Sequence, residues 1–294
     1  MSLLDDTTLR KLDRMTLVAS RVRAGAIKGD RRSTKHGTSI EFADYRDYVR
    51  GDDLRRVDWN VYARLNRPYV KLLEEEEDLA VHLLVDASRS MDWGEGEENK
   101  FRYALRTTAA LGYIALTGGD WLTVSLLHDS RRPVQFGPHR GRGHTLRLFS
   151  FLEQQETGGQ TDLTAELREY ALAARRPGLA YLLSDLFSPN GYREGLSQLQ
   201  GRGHEVGVFH LLSPDELDPP LAGDLRLIDV EIGTGQEVTL DGALRDLYRR
   251  RVNAWRDETQ AFCLKRDIHY IAVETSVTWE ELVLQGLRRR GLVK

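Results

Sequence analysis

The 294-residue chain is long enough for one large α/β domain with an appendage, or for two modest domains. Its 40% hydrophobic and 30% charged content excludes a fibrous or disordered polypeptide, and no run approaches the ~18 consecutive apolar residues of a membrane span. The net charge of −3 conceals a basic start: residues 1–73 hold 16 Lys and Arg against 10 Asp and Glu, the remainder 26 against 35.

Those positive charges are interleaved with acids and accompany no nucleic-acid-binding motif, so no nucleic-acid partner is expected. Cys263 is the single cysteine, which excludes an intrachain disulfide and a thiol-based zinc cluster. The start, MSLLDDTTLRKLDRM, lacks a basic stretch followed by an apolar one, and a cytoplasmic address is expected.

Leu9, Leu12, Met15, Ala19 and Val22 recur near helical spacing, predicting a helix over 7–23. A polar loop, KGDRRSTKHGTS, follows over 28–39. Next comes a block dense in charge and aromatics, residues 40–79, which reads as a compact module. Its Glu41, Asp44, Arg46, Arg50, Asp52, Asp53, Arg55, Arg56 and Asp58 are expected to form an ion-pair network or a surface for a partner.

From Leu79 the pattern changes to strands alternating with helices, which predicts a parallel sheet covered on both faces. Strands are expected at 79–85, 121–127, 133–136, 179–184, 204–211 and 268–273. Helices are expected at 99–116, 144–156, 162–175, 191–201, 242–265 and 278–289. HDSRR, between the second and third strands, is too short for a crossover helix, so those two must form an antiparallel hairpin at a sheet edge. LRLIDVEIGTGQEVTL reads as a further hairpin. His204 and His210 are expected in opposite phases of one strand, with no metal pair between them. The division is therefore an N-terminal module, 1–78, and an α/β domain, 79–294.

Ligands of open α/β sheets bind at the carboxyl ends of the strands, where strand order reverses. The first strand ends in Asp86, Ser88 and Ser90; the fourth ends in Ser184 and Asp185; and a turn before the third helix carries Thr161 and Asp162. Carboxylates and hydroxyls without histidine or thiol make a hard oxygen site suited to Mg2+ or Mn2+. Each residue alone also has a structural use, in a turn or as a helix cap. The acidic loop Asp92, Glu95, Glu97 and Glu98 reads as a solvated loop, with a moving lid or a surface for a basic partner as alternatives.

DASRS resembles the Asp-x-Ser-x-Ser signature of von Willebrand factor A-like domains, whose metal-ion-dependent adhesion site also uses a threonine and a second aspartate. The resemblance implies a metal held by Asp86, Ser88, Ser90, Thr161 and Asp185, with an open position for an Asp or Glu of a partner. It also implies a three-layer α/β/α, Rossmann-like domain with a six-stranded, mostly parallel sheet and one antiparallel edge strand. EFADYRDYVRGDDLRRVDWNVYAR resembles the signature of the bacterial domain of unknown function 58 family, in which Met91 completes Asp-x-Ser-x-Ser-Met. That resemblance implies a MoxR-type AAA+ ATPase as partner in assembling or maturing other proteins.

Together these lead to a non-enzymatic, metal-dependent protein-binding module. One alternative is a metal-independent scaffold that docks through the basic N-terminal module. A magnesium-dependent phosphotransferase is a weaker one, because the second acid that such enzymes place two residues after the first is here Ser88. No nucleotide-binding P-loop, H-E-x-x-H or G-x-S-x-G is present.

Overall fold

The computed structural model describes residues 3–19, 40–75, 79–128, 134–220, 223–228, 235–240 and 242–294. The loop expected at 28–39 and the last residues, 20–23, of the helix expected over 7–23 lie outside them, as do the side chains of 40–44, Arg56, 71–75, 224–228 and 235–240. In chain order the elements are α1 (Asp6–Leu12), β1 (Ile40–Asp47), α2 (Trp59–Leu65), β2 (Tyr69–Glu75), β3 (Ala80–Asp86) and α3 (Lys100–Thr117). There follow β4 (Trp121–Leu127), β5 (Val134–Arg140), α4 (Thr145–Glu153), α5 (Leu163–Ala173), β6 (Leu179–Ser184), α6 (Arg193–Gly201) and β7 (Glu205–Leu212). The chain continues through α7 (Pro214–Leu217), β8 (Gly223–Ile228), β9 (Gly235–Leu240), α8 (Gly242–Lys265) and β10 (His269–Glu274).

The chain divides into two units, one of residues 1–22 with 79–294 and the other of residues 23–78. In this division the N-terminal segment, residues 1–22, goes with the larger unit. The helix expected over 7–23 ends at Leu12, and the chain then runs extended against the C-terminus. Thr16 and Val18 donate their N–H groups to the carbonyls of Lys294 and Leu292, and Lys294 donates back to Thr16. That pairing satisfies backbone groups that helical continuation would otherwise have used. Leu4, Leu12, Met15 and Leu17 are buried in the large core.

The larger unit is a mixed α/β structure on a six-stranded sheet of order β10-β7-β6-β3-β4-β5. All its pairs are parallel except β4 with β5, the expected antiparallel hairpin. β3 is buried throughout because both faces are covered. Val81, Leu83 and Val85 join one core with residues of α3, α4 and both termini. Leu84 joins the other, with residues of α5, α6 and α8. α3 starts at its expected cap, Asn99, whose side chain accepts the Arg102 N–H at 3.0 Å. The last predicted helix, 278–289, is broken by a π-helical turn at Leu282–Gly286. β8 and β9 form the expected hairpin.

His204 and His210 lie on one face rather than on opposite faces, since an even separation preserves phase in a strand. They remain apart, His204 against His82 and His210 against Trp255 and Tyr270.

From β3 the chain moves outward to β4 and β5, then returns past β3 to form β6 on its other side. Successive connections thus leave β3 in opposite directions, which puts the carboxyl ends of β3 and β6 at the reversal of strand order, the place where open α/β sheets bind ligands.

In the smaller unit, β1 and β2 pair antiparallel and α2 lies between them in sequence. Asp58 caps α2 through the Asn60 and Val61 N–H groups and accepts the Tyr45 hydroxyl at 2.8 Å. Arg46 pairs with Asp52 through two bonds of 2.6 and 2.7 Å, while Asp53 caps a short turn at Leu54–Arg56. The expected network is thus in part a set of caps. Among the described residues, no helix is long and apolar enough to cross a membrane.

Candidate metal centre

Asp86 closes β3 and is 1% exposed. Its Oδ1 accepts the Ser88 N–H at 3.0 Å, which turns the chain directly after the strand. Its Oδ2 accepts the Ser184 hydroxyl from β6 at 2.6 Å. Ser184 Oγ in turn accepts the Leu186 N–H at 2.8 Å, supporting a non-glycine residue at φ 62°. The Ser88 and Ser90 hydroxyl oxygens lie 3.0 Å apart.

Thr161 joins these residues through the end of β4. The Leu127 carbonyl accepts both the Ala87 N–H at 2.9 Å and the Thr161 hydroxyl at 3.2 Å. Two further bonds, Gly158 N–H to Ala87 O and Arg89 N–H to Gly159 O, fasten the turn before α5 to the loop after β3. Asp162 caps α5 at the Ala165 N–H and accepts the Asn190 side chain at 2.7 Å, so its use is structural.

Asp185 is wholly buried and differently engaged. Its Oδ1 accepts the Phe187 N–H at 3.0 Å, and its Oδ2 receives Lys100 Nζ at 2.6 Å. Lys100, with no exposed side-chain surface, also donates to Glu216 Oε1 at 2.6 Å. Burial works against the lysine's charge, but Asp185 and Glu216 outweigh it and hold its pKa above the ordinary value. Asp86 has only neutral hydrogen-bond donors among the described residues. Burial first, then the Asp185 carboxylate, push its pKa up to about 6, against the downward pull of Ser184 and Ser88.

Lys100 and Glu216 are the residues that sequence reasoning missed. A lysine directly after a cap residue stands at the positive end of the helix dipole, an unfavourable place that signals acids nearby. Glu216 belongs to a capping box with Ser213, legible as SPDE.

The donor set fits a hard cation. Magnesium holds oxygens at roughly 2.0–2.1 Å in an octahedron, so adjacent ligands stand about 3 Å apart. The two serine hydroxyls are hydrogen-bonded to each other, at a separation that such an edge also has. Thr161 directs its proton to Leu127 and keeps its lone pairs free. Asp86 is a buried carboxylate lacking a cationic partner among the described residues, which is costly unless a cation arrives. No cluster of three His, Cys, Asp or Glu side chains exists among the described residues, so a cation here would rest on hydroxyls beside Asp86. Asp185 departs from this pattern, because Lys100 already holds its outer oxygen.

A family model described as a protein of unknown function, DUF58, matches residues 44–258. The chain belongs to this family. Uncharacterized proteins of Mycobacterium tuberculosis and Mycobacterium bovis are each 30% identical over 273 residues, covering 91% of this chain and 85% of the relative. Two solved structures align at 15% identity and cover 72% of this chain. The conserved hypothetical protein BatB from Bacteroides thetaiotaomicron does so with 98% of its own length and a TM-score of 0.46. An aerotolerance-related membrane protein from Bacteroides fragilis does so with 97% and 0.44.

Proposed function

We propose that this DUF58 protein is a divalent-cation-dependent protein-binding module of the von Willebrand factor A-like type, and that it catalyses no reaction. The observation that carries the reading is Asp86: a buried carboxylate at the strand-order reversal with no cationic partner among the described residues, beside two hydrogen-bonded serine hydroxyls whose 3.0 Å separation also suits an octahedral edge. Asp86, Ser88, Ser90 and Thr161 would hold Mg2+ or Mn2+ there, with Asp185 behind them. The bound cation supplies a Lewis-acid position that accepts a carboxylate oxygen from a partner's Asp or Glu. A MoxR-type AAA+ ATPase or its client is the partner class that the signature resemblance suggests, and the address would be cytoplasmic.

The absence of a second acid two residues after Asp86 supports the non-enzymatic reading over phosphotransfer, since Ser88 offers no proton to a leaving group. The test is capture of a purified MoxR-type ATPase by wild type and by Ser88→Ala, each with magnesium and with chelator. Binding by wild type only when magnesium is present, and none by the variant, is expected. Equal capture in all four conditions overturns the reading.

That second outcome would favour a metal-independent scaffold. One observation speaks for it: α2 buries none of its residues, and Trp59, Tyr62 and Leu65 are exposed on it at positions i, i+3 and i+6.

A further inference from the structure

Lys100 contradicts the simplest form of a metal site, and it is too well built to be incidental. It is the first residue of α3, where the helix dipole opposes a cation. It has no contact with solvent and is held at 2.6 Å by one carboxylate on each side. The ring of Phe187, two residues beyond Asp185, covers it at 5.3 Å from the centroid. Glu216 is fixed independently by the capping box of α7, its other oxygen accepting the Ser213 N–H at 2.9 Å. The Tyr248 hydroxyl bonds the Glu216 carbonyl at 2.7 Å and ties that segment to α8. The ammonium is therefore positioned from three directions.

Its position has a consequence for the charge of the site. Counted as ionised, and among the described residues that make these contacts, Asp86, Asp185 and Glu216 bring three negative charges and Lys100 returns one, which leaves an excess of two. One divalent cation balances that excess. Without Lys100 the excess would be three, and Asp185 would be free to turn toward the cation.

We propose that Lys100 is the residue that sets the cation affinity of this site: by reserving Asp185 as an internal ion pair, it keeps that carboxylate from a divalent cation and holds the affinity down. The inference rests on the metal-binding reading above. A cation held by one available carboxylate and three hydroxyls is bound weakly and keeps its Lewis acidity for a partner's carboxylate. A cation also held by Asp185 would be tighter and less receptive. Lys100 thus exchanges metal affinity for partner affinity.

The experiment is titration of Mn2+, followed by the electron paramagnetic resonance signal of free Mn2+, into wild type, Lys100→Met, Glu216→Gln and Ser88→Ala. Lys100→Met should bind Mn2+ tighter, by about tenfold or more, since a buried positive charge close to the site is removed. Glu216→Gln should bind more weakly, by about threefold or more, since the lysine charge is then less offset. Simple damage to the fold would weaken binding in both, so only opposite shifts support the proposal.

Binding by Lys100→Met alone, with none by wild type, would also support it. Lys100→Met equal to or weaker than wild type would overturn it, as would Glu216→Gln tighter than wild type. Ser88→Ala separates the two levels. If wild type and Ser88→Ala bind Mn2+ alike, the metal site itself is misassigned; if Ser88→Ala binds more weakly while Lys100→Met is unchanged, only the role of Lys100 fails. No binding by any of the four overturns both.

Discussion

Asp86→Asn is the sharpest perturbation of the site, because it removes one charge and almost no volume. Asparagine Oδ1 can still accept the Ser88 N–H that turns the chain after β3. What is lost is the charge-assisted bond from Ser184, a contact of 2.6 Å in the native protein and worth roughly 1.5–3 kcal/mol. What is gained is relief from a carboxylate buried beside Asp185 without a cation, a cost of several kcal/mol. The two nearly cancel, and the metal-free variant should equal wild type or exceed it by up to about 2 kcal/mol. With magnesium the order reverses. A ligand that binds only the folded state at a hundred times its dissociation constant stabilises by about 2.7 kcal/mol, and the variant should gain almost none of it. Urea unfolding at neutral pH, with chelator and with saturating magnesium, measures all four midpoints. An equal magnesium shift in both proteins would refute the assignment of Asp86 as a ligand. A chelated variant more than about 3 kcal/mol below wild type would refute the claim that its charge is uncompensated.

Ser88→Ala should leave the fold intact but weaken Mn2+ by about tenfold, the equivalent of one lost ligand of ordinary strength, read by the same resonance titration. Acid should destabilise the protein through His82, whose ring is held by the Tyr170 hydroxyl at 2.7 Å and the Arg176 carbonyl at 3.0 Å and faces the His204 ring. Burial first, then His204, lower its pKa to about 3. The unfolded chain therefore takes up the proton first, and stability that is complete above pH 6.5 falls as pH drops toward 3. The loss is about 2 kcal/mol at pH 5. His210, lowered to about 3 by burial first and then by Arg256, adds a slope of the same sign, so His82→Gln should make the urea-midpoint profile between pH 6.5 and 5 shallower rather than flat; an unchanged slope would rule His82 out as a source. Gly178→Ala should cost at least about 3 kcal/mol, because the new Cβ would stand 2.0 Å from the backbone oxygen of Ala80, which cannot move without breaking the sheet. A urea midpoint close to wild type would show that β3 and β6 can part there at little cost.

The sheet was legible because it is buried on both faces. Continuous apolar runs such as LAYLLS and VGVFHLL can only be interior strands when helices alternate with them, and the five-residue link HDSRR leaves no alternative to a hairpin. The N-terminal helix was over-extended for the converse reason. Leu9, Leu12, Met15 and Ala19 fit a helical period locally, and only the bridge from Leu17 to Val293, a partner at the far end of the chain, shows that the helix has stopped. Local pattern carries no record of such pairing. The same limit broke the last helix, where nothing in WEELVLQGLRR marks the π-turn.

The site was half legible for a related reason. Its ligand-type residues lie at strand ends, and strand ends can be counted; their neutralising lysine lies at the start of a helix, separated by 85 residues from Asp185 and by 116 from Glu216. A sequence shows which residues have oxygen to give but not which of those oxygens are already taken. Here that distinction decides the chemistry. With Asp185 free, this would be a tight metal site, coordinatively satisfied and indifferent to other proteins. With Asp185 held by Lys100, Asp86 is left as the carboxylate in want of a cation, and any cation it binds is left in want of a carboxylate. On the proposed reading, the residue that would weaken the site as a metal trap is the one that would suit it to capturing an acidic partner.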